Sequence, residues 1–129
     1  MEKNIEEAVR KWLIKADNNI KAASQLFEVK EIITDAICFH CQQAVEKYMK
    51  AYLVSKEIAP DKTHKLEILL TQCMGFEPSF EEIQNVKYLT EYAVELRYPD
   101  DFYVPSVEEA REAYEMAEKV KNFVLNLLK

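Results

Sequence analysis

Within Phe39-His40-Cys41-Gln42-Gln43-Ala44-Val45-Glu46-Lys47, an imidazole, an amide and an ammonium recur at helical spacing. His40, Gln43 and Lys47 stand at i, i+3 and i+7, so on a helix all three project from one side. The imidazole titrates near neutral pH and the ammonium is a fixed charge, a pairing that can hold an anion or move a proton. A second cluster, Lys62-Thr63-His64, precedes a helix-periodic stretch whose first N–H groups favour an anion. A third, Arg97-Tyr98-Pro99 followed by Tyr103, brings a guanidinium suited to phosphate and a phenol able to donate a hydrogen bond or stack on a base. Each cluster also has a plain structural reading. His40 can be hydrogen-bonded to a neighbouring helix on the polar flank of its own, and Thr63 can simply cap the helix it precedes. If Lys47 and Arg97 share a groove, their repulsion must be met by a carboxylate (Glu46, Asp100 or Asp101) or by a bound anion.

The elements that must position these groups read as helices. The first runs from about Ile5 to Phe27, with Val9, Trp12, Leu13, Ala16, Ile20, Ala23 and Phe27 on one stripe. The second runs from Thr34 to Lys56 with a seam of Ile33, Ile37, Cys41, Ala44, Tyr48 and Tyr52. Pro60 ends that pattern, and Thr63 is placed as the N-cap of a short third helix, His64 to Met74. Gly75, the only glycine, falls where a left-handed C-terminal cap is expected. Ser79-Phe80-Glu81-Glu82 has the pattern of a capping box and opens a fourth helix ending near Leu96. Ser106-Val107-Glu108-Glu109 is a second such box, opening a last helix to Leu128. Its stripe is Val107, Ala110, Tyr114, Ala117, Val120, Val124 and Leu127. No alternating strand pattern and no repeat is present, so the sequence predicts one all-α domain over residues 1–129, an up-and-down bundle of four to five helices.

The 129 residues, 49% apolar and 31% charged, are enough to bury a real core. Charge interrupts every apolar run, so no membrane span is expected. Met1-Glu2-Lys3-Asn4-Ile5 lacks a signal-peptide core, and the location expected is the cytoplasm. Cys38, Cys41 and Cys73 are read as reduced, buried thiols, because the Cys38-x-x-Cys41 pair lies inside a helix rather than at an N-terminus. Zinc would need two further ligands, with only Cys73 and His64 to draw on, so no metal and no cofactor is expected. Net charge is −6, yet Lys47 to Lys65 holds five lysines while Phe76 to Glu118 holds twelve acidic residues. That balance allows a few phosphates to be held locally and argues against extended DNA binding.

Taken together, the His40–Lys47 stretch, Lys62-Thr63-His64 and Arg97-Tyr98-Pro99, in that order, resemble the HEPN domain family of small prokaryotic helical proteins. Nucleolytic members of that family look like metal-independent ribonucleases whose signature is an arginine followed four to six residues on by a histidine. This chain has three arginines, Arg10, Arg97 and Arg111, and no histidine follows any of them within six residues. Tyr103 stands six residues after Arg97, and a phenol with its pKa near 10 is a poor general base at neutral pH. The resemblance therefore implies the branch that looks non-nucleolytic, often accompanied by a minimal nucleotidyltransferase in toxin–antitoxin or stress-response pairs. It implies a homodimer and a nucleotide or nucleotidyltransferase partner. The ligand residues it implies are His40, Gln43, Lys47, Lys62, Thr63, His64, Arg97, Tyr98 and Tyr103, with no catalytic residue. Two alternatives stand beside it: a divergent ribonuclease using Arg97 with His40 or His64, and a module whose polar residues only fix a dimer.

Overall fold

The computed structural model describes residues 2–93 and 103–129. Among them the chain forms α1 (Lys3–Leu26), α2 (Thr34–Ser55), α3 (Leu66–Met74), a 3₁₀ segment (Pro78–Ala93) and α4 (Val107–Leu127), with no strand. The expected all-α bundle is the architecture observed. The central member is α2, which packs against every other element and is buried on nearly all sides. Ile37, Cys41, Ala44, Val45, Tyr48, Met49 and Leu53 form its part of the core. Val9, Ala16, Ile20 and Ala23 of α1 close over one side of it, and Ala110, Ala113, Ala117, Val120 and Val124 of α4 close over another.

Local chemistry sets the ends of α2. Thr34 donates its hydroxyl to the carbonyl of Pro105 at 2.6 Å, tying the helix start to the approach to α4. At the other end Ile58 N–H bonds Leu53 O and Glu57 N–H bonds Val54 O, the paired bonds of a Schellman cap. The left-handed residue that this cap requires is Glu57, at φ 61. Gly75, expected to play that part after α3, has φ −63 and is right-handed. The backbone there closes through Gly75 N–H to Thr71 O and Gln72 O, a tightened last turn that needs no positive φ.

Two of the expected helix starts are also displaced. Thr63 does not cap α3, which begins at Leu66; its hydroxyl accepts from Lys65 N–H in a local turn. The Leu66 N–H instead donates to Thr90 Oγ1 at 3.0 Å, a cap supplied from the 3₁₀ segment. Nor does Ser79 open an α-helix. Pro78–Ala93 is 3₁₀, with a kink at Ile83 (φ −115, ψ 22). The reason is its apolar spacing: Phe80, Ile83, Val86 and Leu89 are all buried and recur every third residue. Three residues make one turn of 3₁₀ helix, so one straight row faces the core, whereas an α-helix would rotate that row away. Phe80 anchors it edge-on against Tyr52 and Phe123, with ring centroids 4.8 and 4.9 Å apart. By contrast, Ser106 forms the capping box expected of it, with both reciprocal bonds to Glu109 in place.

Candidate functional site

The most demanding chemistry in the bundle is a polar row inside α2. Gln42, Glu46 and Lys50 stand at i, i+4 and i+8, and all three are buried. The Glu46 carboxylate accepts from Lys50 Nζ at 2.9 Å through one oxygen and from His64 Nδ1 at 2.7 Å through the other. A carboxylate can only accept, so His64 carries its proton on Nδ1, which leaves Nε2 as its basic nitrogen. Gln42 donates to the His64 carbonyl at 2.9 Å and accepts from Gln43 Nε2 at 2.7 Å, fixing the loop ahead of α3 to α2. Lys50 also lies over the Trp12 ring, its ammonium 5.6 Å from the centroid. The buried charge is thereby both paired and hydrogen-bonded.

A second network joins α2 to α1. Lys47 Nζ donates to Asn19 Oδ1 at 2.7 Å, which sets the amide's orientation. Its other end, Nδ2, then donates to His40 Nδ1 at 2.9 Å. His40 in this geometry is a neutral imidazole accepting at Nδ1. Burial pushes the Lys47 ammonium below the ordinary lysine value; Lys15 and Lys50 act in the same direction and Glu46 opposes them. Between the helices lies an open groove of about 430 Å³ lined by Ala8, Lys11, Trp12, Lys15, Glu46 and Lys47. That volume falls in the range of small-molecule sites. The lining holds three lysines and one carboxylate, Glu46, whose two oxygens are already engaged by Lys50 and His64. An anion entering here meets an excess of positive charge and an aromatic wall.

Of the residues singled out in the sequence, His40 and Lys47 meet through Asn19, and Gln43 turns toward Gln42. His64 reaches the same neighbourhood through Glu46 and is largely exposed. Lys62 is exposed and Thr63 half-buried on that loop. Tyr103 belongs to another cluster: its hydroxyl donates to Glu109 at the start of α4, which Tyr92 also approaches, at 3.5 Å. Glu109 is held below the usual carboxylate range, first by Tyr103 and then by the Ser106 backbone. Arg97 and Tyr98 lie outside the described residues. The three thiols are buried, and burial pushes Cys38 and Cys73 up to about 12 and raises Cys41 as well, which makes them poor nucleophiles at neutral pH.

Sequence reasoning missed Lys11 and Lys15 altogether and assigned Trp12 to the core stripe. A signal was present. Ala8, Lys11, Trp12, Lys15 and Asn19 share one face of α1, and two lysines four apart repel by a few tenths of a kcal/mol on a helix. Lys50 was hidden differently, and Glu46, expected to neutralise Lys47 and Arg97, instead holds Lys50 and His64, because a polar row on a buried face becomes legible only once its partners are placed.

Fold and site define an all-α bundle whose central helix carries a buried charged row beside a lysine-rich groove. The family model for the HEPN domain matches residues 9–127, nearly the whole chain, and the chain belongs to that family. No curated protein and no solved structure matches it. Among the described residues no helix is long and apolar enough to cross a membrane.

Proposed function

We propose that this HEPN-domain protein is a non-catalytic binding protein that takes a nucleotide, free or carried by a nucleotidyltransferase partner, in the groove between α1 and α2. The observation that carries this is charge. In a chain of net charge −6, Lys11, Lys15 and Lys47 line one groove whose single carboxylate, Glu46, is already held by Lys50 and His64. Such a concentration attracts an anion, and phosphate is the anion that ammonium groups commonly hold. The family resemblance implies Arg97 as a further ligand residue. The missing Arg-to-His spacing supports binding without turnover. The setting is a cytoplasmic pair of the toxin–antitoxin or stress-response kind, with the HEPN protein as a homodimer; behaviour as a monomer at all concentrations would remove the dimer from this account.

The test is thermal unfolding with ATP, GTP and short RNA on wild type, Arg97→Ala and Lys47→Gln. Ligand at about a hundred times its dissociation constant adds about 2.7 kcal/mol of stability. A nucleotide-induced rise lost in both variants supports the reading. No shift with millimolar nucleotide, together with unchanged behaviour of Arg97→Ala, would sink it.

One observation favours a second reading, a divergent metal-independent ribonuclease. A buried carboxylate fixes His64 Nδ1–H and leaves Nε2 on an exposed ring, an arrangement a general base can use. That reading expects RNA cleavage that survives chelator and disappears in both His64→Ala and Arg97→Ala. Cleavage unchanged in those variants would refute it.

A further inference from the structure

Trp12 is the only tryptophan in the chain and it stands in the wall of the lysine groove, half-exposed, between Lys11 and Lys15. Here the ring is held by the Lys50 ammonium, 5.6 Å from its centroid, and Lys50 is in turn locked by Glu46 at 2.9 Å. The indole is thus braced from within by a buried ion pair while its remaining surface lines the groove. Resting on the nucleotide reading above, we propose that Trp12 is the platform on which the base of a bound nucleoside polyphosphate stacks, with Lys11, Lys15 and Lys47 receiving its phosphates.

The geometry supplies both halves of that ligand. Lysine stems at i−1 and i+3 of Trp12 give a slot with apolar sides, and their ammonium heads, with Lys47 across the groove, give the charged rim. A polyphosphate alone would leave the indole wall bare, and an uncharged apolar ligand would gain nothing from the three ammonium groups at the rim. A nucleotide uses both. Every base has a π-face, so the platform by itself tolerates all bases and ranks them by stacking strength, purines above pyrimidines.

The experiment uses the chain's own tryptophan as reporter. Wild type, Trp12→Leu and Trp12→Phe are titrated with ATP, CTP and inorganic tripolyphosphate, following intrinsic fluorescence for wild type and thermal stability for all three proteins. The expected result is quenching of Trp12 by ATP, weaker binding of CTP, and an ATP affinity about tenfold or more lower in Trp12→Leu. Tripolyphosphate affinity should be unchanged in that variant, and Trp12→Phe should recover part of the ATP affinity. Trp12→Phe also covers the case in which Trp12→Leu fails to fold. ATP binding that leaves Trp12 fluorescence unmoved and is equal in all three proteins would overturn the platform while leaving nucleotide binding intact. Failure of both ATP and tripolyphosphate to bind wild type would overturn the nucleotide reading, and the platform with it.

Discussion

Replacing Glu46 with glutamine tests the charged row directly, because it preserves shape and removes one charge. The carboxylate is 4% exposed and its Lys50 partner 9%, so solvent cannot screen what is lost. Removing one member of a buried pair costs about 3–5 kcal/mol, because the remaining charge is stranded. Two features offset part of that cost here. The carbonyl oxygen of the introduced amide would still accept from Lys50, and the Trp12 ring gives the ammonium about 1 kcal/mol of cation–π attraction. The net expectation for Glu46→Gln is a loss of about 2–3 kcal/mol, a large share of the roughly 5–15 kcal/mol that holds such a domain folded. Urea unfolding reads it as a lower midpoint at unchanged slope. Adding Lys50→Met removes the stranded charge, so the double variant should recover stability, with a coupling above about 1 kcal/mol between the two sites. A Glu46→Gln protein within about 0.5 kcal/mol of wild type would refute the reasoning.

Glu57→Gly should raise stability by about 0.5–1 kcal/mol. Relief of a left-handed non-glycine residue, about 1–2 kcal/mol, exceeds the added freedom of the unfolded chain, and a higher unfolding midpoint is the check. Asp17 is held below the ordinary aspartate range, chiefly by the hydrogen bond from Lys121 with Lys21 adding to it. Because its folded pKa lies below the unfolded one, its contribution is complete above the ordinary aspartate range and fades as pH falls through the folded value. Asp17→Asn should therefore melt lower than wild type at pH 7, and the gap should close as the series is carried into acid; a gap independent of pH would contradict this. Anion binding in the groove should weaken at high pH earlier than an ordinary lysine would dictate, since burial lowers the pKa of Lys47; a titration of ATP affinity against pH is the check.

The fold was legible where the signal was local. The α4 start follows from Ser106 and Glu109 alone, because both capping bonds lie within four residues. The stripe of Val9, Ala16, Ile20 and Ala23 identified the inner face of α1 for the same reason. Misreadings came where a distant group decided the outcome. Thr90 takes the N–H that Thr63 was expected to answer for, and α3 starts later as a result. Phe80, Ile83, Val86 and Leu89 carried a period of three that a default helical period of 3.6 overlooked. In the site, Lys47 and His64 were recognised as polar residues on helical or loop positions. Asn19 was not, and Glu46 was named as a counter-charge for Lys47 and Arg97 rather than as the partner of His64, since only packing of α1 and the α3 approach onto α2 brings these groups together.

Calorimetric titration of ATP into wild type and Lys47→Gln, followed by analysis of the recovered nucleotide, tests the central claim most directly. The account expects saturable binding to wild type, binding weakened or lost in the variant, and ATP recovered intact. No binding to wild type at millimolar ATP, or equal binding to both proteins, would contradict the groove as a nucleotide site; ATP consumed during the titration would contradict binding without turnover.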